Sequence, residues 1–441
     1  METNTEEGLT PKLTQLRAKL NFKAKQEPNF RFYTLYGHIC NMEVLETAWK
    51  QVLKNRGTCG YDGVTLEDVK LRGVNEFLEE IRKSLVFRTY RADPVKRVYI
   101  PKSDGSLRPL GIPTVKDRVV QMALLLIIEP IFEADFLDCS YGFRPDKSTH
   151  QAIDAMVQAI NEGKHEIYDA DLEKYFNSIP HDKLIKAVEK RIVDNRVLNL
   201  IKMWLKAPIW EKGKPMDRNN VGVQQGGVIS PILSNLYLHW FDKIFCSSKG
   251  PREWANAVLI RYADDIVIMA KFIGPKIKEW IQKVIEERFC LKINPAKTKI
   301  VKLKDNKAFV NFIGFTIRIL RSGKVQIQPK KEAIKKAKLR IRELTSVKWG
   351  YLEIVKVIKR LNLFLVGWGK YFNKGSPSDA YQEINWYVEQ RLRNFLERRS
   401  QKGYKKPKII KWHACLKGMG LYTLTRSSLD KCRKPFKRRF M

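Results

Sequence analysis

The 441-residue sequence lacks the marks of a secreted or membrane-spanning protein. Its seven cysteines include no Cys-x-x-Cys pair, which favours reduced thiols over disulfides or a structural zinc site. The longest apolar run, residues 122–128, is far shorter than the roughly 20 residues of a membrane-spanning helix. The amino terminus is polar and acidic, without the apolar stretch of a secretory signal. We therefore expect a cytoplasmic protein.

Acidic residues are scarce in this chain. The 83 Lys and Arg residues outnumber 47 Asp and Glu residues, which gives a net charge of +36. Such an excess indicates a polyanionic partner, either nucleic acid or an anionic membrane surface. The imbalance is concentrated in residues 321–441, with 32 basic and 8 acidic side chains. A segment this basic repels itself unless a polyanion neutralises it, which favours a binding role.

Hydrophobic residues make up 44% of the chain, which is enough for a large core and several domains. Their periodicity predicts an α+β body followed by a helical, basic extension. Residues 1–42 are expected to form an arm or extension that becomes ordered by packing against something else. Helices are predicted at 43–56, 74–85, 116–134, 149–161, 231–245 and 275–288, and strands at 166–172 and in hairpins at 95–110 and 257–269. Beyond residue 330 the pattern is helical, with a break at 373–378.

Two adjacent carboxylates, Asp264 and Asp265, lie between apolar runs typical of the two strands of a hairpin. Burying a bare carboxylate costs several kcal/mol, and a second one beside it adds like-charge repulsion. A divalent cation is the simplest compensation, although an exposed Asp-Asp turn is the commoner explanation of a lone pair. Another predicted strand carries Asp169 and Asp171 in an apolar setting. These two share one strand face, so spacing alone does not choose between them.

Positive charge near these carboxylates is expected from Lys102 and Arg108, which lie in a hairpin with an Asp-Gly turn. Clustered carboxylates that bind two metals, opposed by cations that hold a triphosphate, form a phosphoryl-transfer site. The alternative is that both cations are simply exposed beside a turn. The sequence has no Gly-x-x-x-x-Gly-Lys-Ser/Thr loop, which excludes a P-loop ATPase.

Seven sequence blocks occur in the order typical of reverse transcriptases, and the chain resembles that family. They are RPLGIP at 108–113, YGFRP at 141–145, DLEKYF at 171–176, QGGVISP at 225–231, YADD at 262–265, KTK at 297–299 and FIGF at 312–315. Together with GWGKYF at 367–372, they make the chain similar to bacterial group II intron-encoded proteins of the type without an HNH endonuclease. In that family a reverse transcriptase precedes a helical maturase domain and often a basic DNA-binding tail.

The resemblance implies a right-hand polymerase. Its parts would be an N-terminal extension at 1–50, fingers and palm at 51–320, an all-helical thumb or maturase X domain at 321–400, and a small basic DNA-binding tail at 401–441. It implies RNA-directed synthesis of DNA from deoxynucleoside triphosphates (dNTPs) with two Mg²⁺ ions. The protein would also bind group II intron RNA as a splicing maturase, and template RNA with primer or target DNA. Retrohoming by target-primed reverse transcription, as a nucleoid-associated ribonucleoprotein, follows from the same resemblance; monomer and dimer both stay open.

Site residues also follow from the resemblance. The catalytic metal ligands would be Asp171, Asp264 and Asp265, with Leu172 as a further metal-binding position. The nucleotide-binding residues would be Lys102, Arg108, Leu172, Phe176, Gln225 and Lys297, and the primer grip would be Phe312, Ile313, Gly314 and Phe315. Phe176 would exclude a 2′-hydroxyl and so select deoxynucleotides. The family usually has proline where Gln224 stands, a change that touches no catalytic atom, so we expect activity to survive it.

Two alternative functions belong to other classes. One is an RNA-binding splicing factor without polymerase activity, against which the three intact aspartates argue. The other is a domesticated reverse transcriptase in a defence or diversification system, which the Gln-Gly-Gly block and the thumb disfavour. Within that thumb, a helix face built for packing is predicted at Ile354, Ile358, Leu361, Leu365, Trp368 and Phe372.

Overall fold

The computed structural model describes residues 8–101, 105–216, 221–398 and 411–426. The chain divides into two compact units; the first ends at Ile300 and the second begins at Val301. In those four ranges we find no helix with the length and apolar character needed to cross a lipid bilayer.

The first unit is mainly helical. Its helices are α1 (Pro11–Gln26), α2 (Tyr36–Ile39), α3 (Met42–Lys54), α4 (Leu66–Arg72), α5 (Val74–Val86), α6 (Val115–Glu133), α7 (Thr149–Asn161), α8 (Tyr175–Ser178), α9 (His181–Glu189), α10 (Asn195–Lys206), α11 (Ser230–Phe245), α12 (Pro251–Trp254) and α13 (Pro275–Lys283), the last extended by a π-helical turn at Val284–Arg288. Its strands are β1 (Val95–Pro101), β2 (Leu107–Ile112), β3 (Glu166–Ala170), β4 (Ile209–Glu211), β5 (Lys214–Met216), β6 (Val258–Tyr262), β7 (Asp265–Ala270) and β8 (Lys299–Lys302), which ends just beyond the unit. The six helices and three strand regions predicted in this part of the sequence are confirmed.

Helix α6 forms the centre of the first unit. It is apolar around nearly its whole circumference, so burial on all sides is the stable arrangement. Its first turn is capped by Thr114, whose side-chain oxygen accepts a hydrogen bond from the Asp117 amide at 3.2 Å. Helices α1 and α3 pack against it.

The predicted N-terminal arm or extension orders against helix α6 of the same chain. Helix α1 packs on α6 through Leu13, Leu20 and Ala24, all of them buried. Arg17 lies on the same face and forms an ion pair with Glu129 of α6 at 2.8 Å. The lysines between these positions conceal the helical spacing in the sequence.

Two sheets organise the first unit. One has the order β2-β1-β4-β5 and contains the confirmed β1–β2 hairpin. The other has the order β6-β7-β3-β8, with β7 antiparallel to both β6 and β3. The β3–β7 register ends with Ala170 opposite Ile266, so the end of β3 reaches the β6–β7 turn.

The second unit combines a small sheet with helices. Strands β9 (Val310–Phe312), β10 (Phe315–Ile319) and β11 (Val325–Pro329) form an antiparallel sheet, followed by α14 (Lys331–Leu344), a 3₁₀ turn at Val347–Trp349, α15 (Ile354–Phe372), α16 (Ser378–Arg398) and α17 (Trp412–Gly418). The predicted packing face of α15 is confirmed: four of its six positions are buried, and the remaining two, Ile354 and Trp368, are half-buried. Of the predicted tail, only residues 411–426 belong to the described ranges.

Candidate active site

The adjacent carboxylates lie at a tight turn. Strands β6 and β7 pair up to Tyr262 and Asp265, which leaves Ala263 and Asp264 as the two turn residues. Ala263 has φ of +56°, in the left-handed region that costs a residue with a Cβ atom about 1 kcal/mol. Surrounding contacts must therefore hold this turn in place.

Those contacts come from Arg261, which is fully buried. Its Nε and Nη2 atoms donate to the carboxylate of Asp242 on α11, at 2.9 Å to Oδ1 and 2.6 Å to Oδ2 respectively. Its Nη1 atom donates to Asn235 Oδ1 at 2.9 Å and to the carbonyl oxygen of Ala263 at 3.0 Å. A buried ion pair thus fixes the carbonyl group of the strained turn residue.

The segment at residues 139–142 covers the back of the turn. The amide of Tyr141 donates to the Arg261 carbonyl at 2.8 Å, and the Gly142 carbonyl accepts from Asn235 Nδ2 at 2.7 Å. A Cβ atom added to Gly142 would lie 2.4 Å from the backbone nitrogen of Ala263. Only glycine permits this approach.

Burial and neighbouring carboxylates raise the pKa values of both turn aspartates, and nearby positive charge compensates only in part. Burial raises the pKa of Asp264, Asp171 raises it further, and Arg108 opposes the change. Burial also raises the pKa of Asp265 to about 7, with added repulsion from Asp264, Asp169 and Asp171. Asp265 is nevertheless exposed, so a ligand from solvent can reach its carboxylate.

Asp171 belongs to the same site. It directly follows Ala170, the last residue of the β3–β7 ladder, and so comes next to the Asp264 turn. Its amide donates to Thr298 Oγ1 at 3.3 Å, and its carbonyl accepts from the Asn294 amide at 2.8 Å. Two chain segments that are distant in sequence are thereby brought together.

Across the described ranges, no three His, Cys, Asp or Glu side chains are grouped closely enough to hold a metal ion as they stand. The chemistry of the site nevertheless fits a hard divalent cation, because carboxylate oxygens are its preferred ligands. The mutual repulsion that raises the pKa of Asp265 is the kind of strain that such a cation relieves.

The segment at residues 222–227 joins the predicted nucleotide-binding residues. Phe176 is half-buried in α8, and its carbonyl accepts from the Val223 amide at 2.6 Å. The Gln225 carbonyl accepts from the Gly111 amide of β2 at 2.8 Å. Gly226 has φ of +112°, and a Cβ atom there would lie 2.7 Å from the Gly111 oxygen. Glycine therefore lets this segment lie against the β1–β2 hairpin.

The other predicted nucleotide-binding residues lie around this segment. Arg108 is exposed on β2, and its positive charge partly opposes the rise in pKa of Asp264 and Asp265. Lys297 is exposed in a turn closed by its own amide and the Asn294 carbonyl at 3.2 Å. Leu172 is buried and Lys102 lies outside the described residues.

Gln224, which stands in place of the family proline, is buried. Its carbonyl closes a turn by accepting from the Gly227 amide at 3.2 Å. Its side-chain Nε2 atom has no hydrogen-bond partner among the residues that the structure describes. The turn therefore forms without proline.

The predicted primer grip belongs to the second unit, at the β9–β10 turn. Ile313 and Gly314 form the turn with φ of +45° and +81°, while the rings of Phe312 and Phe315 are buried. Tyr371 of α15 donates its hydroxyl to the Ile313 carbonyl at 2.9 Å, and its ring stacks on Phe315 with centroids 5.6 Å apart. The turn is thus attached to α15.

Comparison with known proteins gives two family matches. Residues 100–317 match the family described as reverse transcriptase (RNA-dependent DNA polymerase). Residues 334–413 match the group II intron, maturase-specific domain. The class is therefore a polymerase domain followed by a maturase domain.

Two curated proteins and one solved structure illustrate what the chain is similar to. Protein YkfC of Escherichia coli K12 is 36% identical over 335 residues, which cover 68% of this chain and 87% of that protein. Group II intron-encoded protein LtrA of Lactococcus lactis is 28% identical over 357 residues, 67% of this chain and 58% of LtrA. A telomerase structure from Candida albicans with a fragment of telomeric RNA has a TM-score of 0.42 at 12% identity and covers 73% of this chain and 62% of that one. The chain belongs to the family of group II intron-encoded reverse transcriptases and maturases.

Proposed function

We propose that this protein synthesises DNA on an RNA template from dNTPs. The observation that supports it most directly is the electrostatic coupling of Asp171 to both Asp264 and Asp265 at the end of the β3–β7 ladder, with the Arg108 charge acting on the same two carboxylates. A nucleotidyl-transfer site needs this combination of clustered carboxylates and an opposing cation.

The three carboxylates, with Leu172, would hold two divalent ions, for which we propose Mg²⁺. Bound there, the ions would lower the pKa of the primer 3′-hydroxyl and stabilise the charge on the leaving pyrophosphate. Asp171 is preferred over Asp169 because its charge raises the pKa of both turn carboxylates, whereas Asp169 contributes at Asp265. The Arg261 network would keep Asp264 in place while nucleotides enter and leave.

The incoming nucleotide would lie between the β1–β2 hairpin and α8. Arg108, Lys102 and Lys297 would contact its triphosphate, with Lys297 as a candidate proton donor to pyrophosphate. Gln225 would touch the nucleotide where its own backbone is tied to β2. Phe176 would lie under the sugar and exclude a 2′-hydroxyl.

The second unit would bind intron RNA and the primer. Its helix α15 exposes Lys356, Lys359, Arg360 and Lys370, which suit an RNA backbone. The β9–β10 turn at 312–315 would grip the primer strand. From membership of this family we propose that the protein assists splicing and supports retrohoming by target-primed reverse transcription. On the same ground we propose four parts, with boundaries at residues 50, 320 and 400.

Primer extension on an RNA template tests the proposed chemistry. Asp264→Ala and Asp171→Ala should abolish extension, because each removes a metal ligand, while RNA affinity stays within about twofold. Asp169→Ala, which lies in β3 two residues before Asp171, is the matched control and should keep most of the activity. Extension by Asp264→Ala would overturn the assignment, and a parallel loss of RNA affinity would identify Asp264 as a structural residue.

Sugar selection is tested with Phe176→Ala. The smaller side chain should admit ribonucleotides, so incorporation of a ribonucleotide relative to a deoxynucleotide should rise at least tenfold. Phe272→Ala, which removes an exposed ring elsewhere on the first unit, serves as the control. Unchanged discrimination in Phe176→Ala would remove this residue from the nucleotide site.

A further inference from the structure

A basic cavity of about 530 Å³ lies between α2, the segment that links α5 to β1, and α10. Its cationic lining residues are Arg88, Arg91, Arg196, Lys202 and Lys206. No carboxylate is among the described residues that line it, and none of the candidate active-site residues takes part.

Helix α10 supplies three of the cations through its amphipathic pattern. One side buries apolar residues such as Ile201 and Trp204 in the core, so Arg196, Lys202 and Lys206 remain exposed. Their arrangement is therefore fixed by a rigid helix.

The α5–β1 segment supplies the other two cations. Arg88 has φ of +61°, an unfavourable left-handed conformation for a non-glycine residue. Arg91 stabilises the segment by donating from Nη1 to the carbonyls of Tyr90 at 2.9 Å and Arg88 at 3.2 Å. The backbone thus holds both guanidinium groups at the cavity.

The charge of this basic cavity is not neutralised by neighbouring acids. Within the described ranges none of its five cations forms an ion pair. The nearby carboxylate of Asp194 accepts instead from the amides of Leu35, Tyr36 and Arg196 at 2.8–3.0 Å. Exposed cations on the same unit elsewhere do pair, as in Lys70 with Glu67 at 2.8 Å. Five like charges around one concavity favour an anionic ligand.

The remaining surface indicates the kind of anion. The floor carries the rings of Tyr36 and Tyr90, whose hydroxyls already donate to Leu85 O at 2.8 Å and Asp117 Oδ1 at 2.5 Å. Beside Arg88, the Phe87 ring is 72% exposed. Guanidinium groups match phosphate oxygens in pairs, and an exposed ring offers a stacking surface for a base.

We propose that the basic cavity binds RNA, with its arginines and lysines on backbone phosphates and Phe87 stacked on a neighbouring base. The inference rests on the proposed function in taking RNA as the ligand. It adds a nucleic-acid contact on the first unit to those proposed for the second.

Binding of a fluorescent single-stranded RNA, measured by anisotropy over a salt series without dNTPs, tests this proposal. The variant Arg88→Gln/Arg196→Gln/Lys202→Gln should bind about tenfold more weakly. The slope of log K against log salt should flatten by about 1 to 2, because each lost single-strand phosphate contact contributes roughly 0.7. Lys186→Gln/Lys278→Gln/Lys283→Gln removes the same charge from exposed positions of the first unit and should change affinity by less than threefold.

Phe87→Ala separates stacking from charge. It should weaken binding about threefold to tenfold and leave the salt slope unchanged, since no phosphate contact is lost. If the triple variant melts early, Lys202→Gln/Lys206→Gln changes only exposed helix positions and should give about two thirds of the slope effect, since two contacts are lost in place of three.

A triple variant with the same affinity and slope as its charge-matched control would overturn the proposal. Primer extension by the unmodified protein, run in parallel, keeps the two proposals distinct. If it extends primers while the basic-cavity variants bind RNA normally, only this inference fails. If it neither binds RNA nor extends primers, the proposed function fails first.

Discussion

The buried Arg261–Asp242 pair allows a quantitative test of how the turn at Ala263 and Asp264 is held in place. Both side chains are fully buried, and Arg261 also donates to Asn235 and to the Ala263 carbonyl. Asp242→Asn keeps the shape of the side chain but leaves the guanidinium charge without its counter-ion. Removing one partner of a buried pair costs about 3–5 kcal/mol. Because folded domains have about 5–15 kcal/mol of stability, the variant should still fold at room temperature.

Two measurements separate stability from positioning. Urea unfolding followed by circular dichroism should show the free energy of unfolding lowered by about 3–5 kcal/mol. Primer extension at a temperature where the variant is folded should show kcat reduced about 100-fold, since a displacement near 1 Å at a reacting centre has an effect of that order. Glu79→Gln removes one partner of an exposed pair with Arg82 and should change stability by less than about 1 kcal/mol.

A double variant tests whether the pair positions the turn or only stabilises the fold. Asp242→Leu/Arg261→Met removes both buried charges and should recover much of the lost stability. It should not recover activity, because the Ala263 carbonyl still lacks the donor that Arg261 provided. Wild-type kcat in either Asp242 variant would show that the pair supports the fold without positioning the turn.

Three further predictions concern the same unit. Gly142→Ala should lower primer extension at least tenfold, because its Cβ would lie 2.4 Å from the Ala263 nitrogen. Gly37→Ala is the control and should have little effect, because nothing lies within 4 Å of a Cβ there. Equal activities of the two variants would contradict this prediction. A hydrogen bond from Cys139, aided by Arg252, lowers the pKa of the Cys246 thiol below its usual range. Alkylation of Cys246 by iodoacetamide, followed by mass spectrometry, should therefore reach half its maximal rate at a lower pH than alkylation of an ordinary thiol, and a midpoint at the ordinary value would contradict this. The pKa of Asp265 is raised to about 7, so without cation the stability contributed by its protonated form is lost as pH rises through that value. Mg²⁺ should therefore raise Tm more at about pH 8 than at about pH 6, and equal shifts would argue against binding by Asp265.

The strongly periodic elements were predictable from the sequence, whereas those defined by tertiary context were not. Helix α6 and the β6–β7 hairpin have clear patterns, and both are confirmed. Helix α1 was missed because its few apolar residues lie among lysines and its burial depends on α6. The short strands β4 and β5 were missed for a related reason, since a three-residue strand carries almost no periodic signal.

In the candidate site too, some residues were predictable from sequence patterns, whereas others depend on tertiary contacts. Asp264 and Asp265 were predicted as site residues because charged residues between apolar strands are unusual, whereas Asp171 was chosen over Asp169 only through the resemblance to the family. The residues that support them were missed, although Asn235 and Asp242 offer one usable signal. They are polar residues seven apart on a largely apolar helix, so they share one buried face. Their partner Arg261 lies in another element, and sequence spacing cannot supply that contact. The basic cavity likewise joins residues 88 and 196, which only the fold brings together.

The attachment of the β9–β10 turn to α15 has a mechanical consequence. Tyr371 donates a hydrogen bond to the Ile313 carbonyl and stacks on Phe315, so the β9–β10 hairpin and helix α15 are expected to move together. A tilt of that helix when RNA engages the maturase helices would be transmitted to whatever the hairpin tip touches. RNA bound to these helices would then shift the hairpin that is proposed to grip the primer, so splicing and DNA synthesis would be coupled through one structural element.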